Sequence, residues 1–186
     1  MIALLGWGSL VWNPKNLAVR PHWDVDGPWV RAEFLRQSNN GRLTLVLSES
    51  AEPVRSLWTT FSRDDLADAR EELRRREGIP QRNFDLHVGS WSRGSPPPAS
   101  ILDLEKWTAE REIDAVVWTA LPPKFSGEDG CSPSVDQATS YLAGLTTPVR
   151  ELAEEYIRRA PQQIDTPSHR GGSGMVLFGW LGAGTT

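Results

Sequence analysis

Two short stretches of this chain hold residue types that can do chemistry. The first is Gly6-Trp7-Gly8-Ser9-Leu10, entered from the apolar run Ala3-Leu4-Leu5 and closed by the turn-forming pair Asn13-Pro14. The pattern predicts a strand that feeds a glycine loop. Gly6 and Gly8 are expected to reach positive φ and to let a ligand come close, because no Cβ stands in the way. Successive N–H groups of such a loop can converge on a carboxylate or a phosphate. A plain tight turn would use the same glycines, and the motif alone leaves both readings open.

The second is Glu77. A helix is expected from Ser62 to Glu77, opened by Ser62 with Asp65 as capping-box partner and closed by Gly78, with Pro80 beyond it. At about 100° per residue, Leu66, Leu73 and Glu77 fall within about 40° of one another on one face. A carboxylate on an apolar face in the last helical turn is opposed by burial and by the negative end of the macrodipole. Both favour its protonated form, which suits a group that takes and returns protons near neutral pH. Pairing of Glu77 with Arg70 or Arg74 is the structural alternative.

Other candidates are weaker. His22, between tryptophans and a proline, reads as a packed loop residue, and Cys131 sits in a Gly/Ser/Pro loop with no sequence partner. A hydrolase built on Ser9 or Cys131 with His22, His87 or His169 is conceivable, but no nucleophile-elbow pattern is present. One cysteine makes no intramolecular disulfide and by itself no zinc site. No metal site is expected.

The elements that must position these residues are legible in outline. Strands are expected over Trp29 to Ser38 and Arg42 to Leu47, joined by the hairpin signal Asn39-Asn40-Gly41, and over Val54 to Phe61. Phe84 to Val88 reads as a short strand, Gly89 to Ser100 as a loop, and Ile113 to Leu121 as a buried strand. The loop Lys124 to Ser134 precedes helices over Val135 to Ala143 and Pro148 to Ala160, and a last strand is expected over Met175 to Leu181. At 186 residues, one domain covers the whole chain, 1–186.

Composition excludes some functions. The formal net charge of −4 gives no electrostatic reason to expect nucleic-acid binding, and Arg74-Arg75-Arg76 reads as a solvated face paired with the acids of its helix. No apolar run approaches the ~20 residues that span a bilayer, and Met1 enters the first strand without a basic leader. A cytoplasmic location is therefore expected, with no membrane partner. Nothing in the sequence fixes an oligomeric state.

With Leu-Gly-Trp-Gly-Ser-Leu-Val-Trp-Asn-Pro at residues 5 to 14 and Arg-Arg-Glu-Gly at 75 to 78, the chain resembles the gamma-glutamylcyclotransferase-like superfamily, nearest to its ChaC-type members. The order also matches: a glycine loop on strand one, an Arg-containing second strand (Phe34-Leu35-Arg36), then a helix ending in Arg-Glu-Gly. The resemblance implies an α+β fold, a small mixed β-barrel with flanking helices. It implies cleavage of a small γ-glutamyl amide or peptide, the class that includes glutathione, with release of 5-oxoproline and no cofactor. It also implies Glu77 as the proton carrier, with Gly6, Trp7, Gly8, Ser9, Leu10 and Arg36 holding the substrate. Trp7 stands where the family has a tyrosine. The alternative is a non-catalytic domain of the same fold that binds a small metabolite.

Overall fold

A computed structural model describes residues 1–166. In chain order it contains β1 (Ile2–Gly6), β2 (Trp29–Gln37), β3 (Leu43–Leu47), β4 (Pro53–Arg55) and β5 (Leu57–Thr60) before the first helix, α1 (Leu66–Glu77). The short helix α2 (Phe84–His87) then leads into β6 (Val88–Ser92), β7 (Ile101–Leu102), α3 (Leu104–Ala109) and β8 (Ala115–Thr119). A two-strand flap, β9 (Lys124–Phe125) and β10 (Glu128–Asp129), precedes α4 (Val135–Ala143) and α5 (Thr147–Arg159). The class is α+β, with the sheets curled into a half-barrel. The strand expected over Met175 to Leu181 lies outside the described residues.

β1 is the strand on which the rest is arranged. All five of its residues are buried, and it pairs antiparallel with β5 and parallel with β8, in a sheet ordered β5-β1-β8-β6. A strand covered on both faces reads as an unbroken apolar run, which is how Ile2 to Leu5 reads. Because successive side chains point to opposite faces, Ile2 and Leu4 join one cluster, with Leu73 and Ala69 of α1 and Val117 of β8. Ala3 and Leu5 join the other, with Val116, Trp118, Phe34 and the helices α4 and α5. The second sheet runs β10-β9-β2-β3, with β4 and β7 also paired to β2.

Several elements differ from expectation. The run Val54 to Phe61 is two strands, not one: β4 pairs with β2 and β5 with β1, and the chain changes sheets at Ser56. Ser56 is fully buried there, with its hydroxyl donating to the Pro28 carbonyl at 2.6 Å. Phe84 to His87 is helical, and the strand begins where a loop was expected, at Val88 to Ser92. Gly89 leaves the space that the Trp118 indole fills, since a Cβ would stand 2.2 Å from that ring. The stretch from Leu104 holds a six-residue helix that buries Leu104 and Trp107, too short to show a helical period.

α1 begins at Leu66, capped by Asp65, whose carboxylate accepts the Asp68 N–H at 2.9 Å; Ser62 lies outside the helix. Its end is as expected. Gly78 has φ 69° and ψ 28°, and its N–H and that of Ile79 close on the Arg75 and Arg74 carbonyls. This left-handed closure ends the helix immediately after Glu77. Gly78→Ala meets no steric neighbour, so its penalty is conformational, a loss of about 1 kcal/mol. Urea unfolding midpoints of the two proteins measure it, and equal midpoints would show that the left-handed cap contributes nothing.

Candidate functional site

The candidate site forms where the C-terminal end of β1 opens into its loop. Residues Ser9 to Trp12 make a tight turn, with the Val11 N–H on the Gly8 carbonyl at 3.0 Å and the Asn13 N–H on the Ser9 carbonyl at 2.9 Å. Neither Gly6 nor Gly8 has positive φ. Their need for glycine is one of space: a Cβ at Gly6 would stand 2.6 Å from the Trp23 ring, and one at Gly8 would stand 2.5 Å from the Tyr156 hydroxyl. The close approach that the glycines permit is therefore made by the protein's own aromatic side chains.

Glu77 faces this loop. Its side chain is 15% exposed, and its Oε1 accepts one hydrogen bond from Arg76 Nη1 at 2.8 Å and another from Thr119 Oγ1 at 3.0 Å. The partners considered from the helix pattern are engaged elsewhere. Arg70 pairs with Asp85 at 2.8 Å, and Arg74 binds Glu71 and the Ile79 carbonyl. Nor is the arginine triplet uniformly solvated: Arg75 is 69% exposed, but Arg76 is only 7% exposed and also donates to the Asn13 carbonyl. Arg76 thus ties the carboxylate of Glu77 to the end of the glycine loop. Together Arg74 and Arg75 hold the Glu71 carboxyl down at about 2.

A cavity of about 600 Å³ is lined by every residue that the resemblance implies for the site: Gly6, Trp7, Gly8, Ser9, Leu10, Arg36 and Glu77. Trp7 and Leu10 are buried and contribute to its floor as core residues. Arg36 donates to the Pro122 carbonyl at 2.7 Å and to Asp129 at 3.0 Å, so one of its guanidinium nitrogens is fixed by the flap. Among the described residues the N–H groups of Gly8 and Leu10 have no hydrogen-bond partner. They are donors available to a bound oxygen.

Three further residues of this cavity, Tyr156, Thr119 and Arg42, were not assigned a role from the sequence, and His87, weighed there only as a hydrolase histidine, lines it too. Tyr156 belongs to the buried stripe Ala153, Tyr156, Ile157 of α5, which a helical period can reveal. That its hydroxyl would reach β1's loop depends on how α5 docks, and no local signal carries that. The hydroxyl accepts the Leu45 N–H at 3.4 Å, and the Ser9 N–H also points at it. Burial pushes this phenol up to about 12, with the Leu45 hydrogen bond and Arg42 pulling the other way. It stays protonated at neutral pH and keeps a hydrogen to donate.

The remaining nucleophile and histidine candidates are scattered. His22 is 73% exposed beside Asp24, so it is neither packed nor part of the cavity, and Cys131 is exposed. His169 lies outside the described residues. No group of three or more His, Cys, Asp or Glu converges among the described residues, and no helix among them is long and apolar enough to cross a membrane. What the cavity offers is two carboxylates, Glu77 and the Arg36-paired Asp129, a phenol and amides that donate to oxygen, and guanidinium groups that balance negative charge.

His87 yields a pH test. Burial first, and the Arg36 cation second, hold its imidazole below the ordinary 6.5, while Asp129 acts in the opposite direction. The folded protein thus binds this proton less readily than the unfolded chain. Stability from this group is full above pH 6.5 and declines as the pH falls below it. His87→Gln should flatten that part of the stability curve, read as urea midpoints at a series of pH values. An unchanged slope would remove His87 from the electrostatics of the cavity.

No family model matches this chain, and neither a curated protein nor a solved structure matches it.

Proposed function

We propose that the protein is a γ-glutamylcyclotransferase-like enzyme, with the barrel fold of that superfamily, that cleaves a small γ-glutamyl amide or peptide by intramolecular aminolysis. One observation carries the reading: the Glu77 carboxylate, mostly buried at the end of α1, lines the same cavity as the Gly6–Leu10 loop. At about 600 Å³ that cavity has the size of a small-molecule site.

In this reaction the α-amine nitrogen of the substrate attacks its own γ-carbonyl carbon. A new C–N bond closes the five-membered lactam, the old amide C–N bond breaks, and 5-oxoproline and a free amine leave. Nucleophile and electrophile belong to one molecule, so the protein's main task is to fold the substrate into its near-attack shape. Glu77 takes the proton that the attacking amine sheds and delivers it to the departing nitrogen. Thr119 and Arg76 fix the carboxylate for both steps, from β8 and from the helix itself. The N–H groups of Gly8 and Leu10, with the neutral phenol of Tyr156, are donors for the oxygen on which charge develops. Arg36 and Arg42 supply positive charge for the α-carboxylate.

The test is release of 5-oxoproline from a panel of γ-glutamyl amides. Glu77→Gln keeps the shape of the side chain and should lower kcat by about 10²- to 10⁴-fold, with the circular dichroism spectrum unchanged. Undiminished turnover in that variant would exclude Glu77 as the proton carrier. Thr119→Val should lower kcat by a smaller factor, about tenfold, because it frees the carboxylate without removing it. Thermal stabilisation of the wild type by these compounds without product would favour the metabolite-binding alternative.

A further inference from the structure

A second cavity, of about 380 Å³, adjoins the first, and Ser9, Arg42, Glu77 and Tyr156 line both. Four cationic side chains line it, Lys15, Arg42, Arg76 and Arg159, against two carboxylates, Glu77 and Glu155. Two of the cations are neutralised within the wall, Arg76 by Glu77 at 2.8 Å and Arg159 by Glu155 at 3.1 Å. Lys15 and Arg42 have no carboxylate partner among the described residues. The Lys15 ammonium donates to the Arg76 carbonyl at 3.3 Å, and Arg42 Nε donates to the Asn40 side chain at 3.1 Å.

Two of these cations are held in place by the surrounding backbone and packing. Arg76 is more than nine-tenths buried, and its Nε lacks a hydrogen-bond partner. Lys15 has φ 54°, in the left-handed region that residues with side chains seldom adopt. That backbone turn brings its ammonium back to the C-terminal end of α1, where the Arg76 carbonyl lies.

The geometry points to this cavity as a binding site for a small doubly charged oxyanion: inorganic phosphate, or the phosphate group of a phosphomonoester. Two positive charges without carboxylate partners match a dianion. Lys15 contributes a compact point charge and Arg42 a planar fork, the two ways in which side chains hold phosphate. Glu155 and Glu77 do not oppose the anion freely, since each carboxylate is already paired with a cation of the wall. The site does not depend on the reaction proposed at Glu77, but it senses that residue. Arg76 and its partner Glu77 both line the cavity, so neutralising position 77 releases a third cation to the anion.

Isothermal titration of the 186-residue chain with inorganic phosphate, and separately with glycerol phosphate, at an ionic strength held constant with sodium chloride tests the site. Saturable binding is expected, weakened at least about tenfold by Lys15→Gln and by Arg42→Gln and retained by Lys15→Arg. Glu77→Gln should tighten it. Binding of the free anion alone or of the ester alone identifies which source the site accepts. No saturable binding to the wild type, equal binding of succinate, or binding that both Gln variants leave unchanged would overturn the assignment. Should Arg42→Gln melt early in chloride, the exposed Lys15, which lines only this second cavity, decides the matter.

Discussion

The contact between Arg76 and Glu77 is the one on which the site depends. Neighbouring residues on a helix point about 100° apart and do not ordinarily meet. They meet here because the helix ends at Glu77 and the long Arg76 side chain folds back along its end. A carboxylate there faces two opposing effects, scarce water and the negative end of the macrodipole. A guanidinium in the same turn counters both, and is itself favoured by that end of the helix. Because Arg76 also donates to the Asn13 carbonyl, the same cation fixes the distance between the helix end and the glycine loop. Thr119 closes the arrangement from β8. Loop, helix end and central sheet are thus held to one another by polar contacts around a single carboxylate oxygen.

The apolar layers decide where these polar groups can meet. β1 divides its side chains between two clusters, and this places α1 over one face of the sheet and α5 over the other. The loop that leaves β1 therefore emerges between the end of α1 and the buried face of α5. That position explains why it is approached from both sides, by Arg76 at Asn13 and by Tyr156 at Gly8. It also explains the glycine at position 8, which serves contact with a phenol rather than an unusual backbone angle. Trp7, within the loop itself, is committed to the core. A phenol nevertheless reaches the loop, from α5.

What the sequence revealed and what it hid follow from the range of the forces involved. Local signals were dependable: the apolar run of β1, the stop at Gly78 and the hairpin at Asn39-Asn40-Gly41 are written within a few residues. The face of α1 that carries Glu77 was legible because helical geometry is fixed. The partner of Glu77 was not, because the choice among Arg70, Arg74 and Arg76 depends on what surrounds each guanidinium in three dimensions. Asp85 and Glu71 draw off the first two. The break at Ser56 was hidden for a similar reason: β-branched and apolar residues continue on both sides, and only the Pro28 carbonyl makes a buried serine favourable there. Likewise Gly89 reads as a loop residue until Trp118 is seen to occupy its missing side chain.

The same cation has consequences on both sides of the wall. The Glu77 carboxylate is mostly buried, and a carboxylate held in so little water needs a cation beside it. Arg76 supplies that cation while also holding the Asn13 carbonyl and lining the second cavity. Its donors are divided, so each partner receives part of its charge. Any group that enters the smaller cavity and draws on Arg76 therefore competes with Glu77 for the same guanidinium, and any change at Glu77 alters how much positive charge that cavity presents. Coupling of this kind needs no conformational change; it requires only that a buried cation of one cavity be paired with a carboxylate that lines both, as Arg76 is with Glu77.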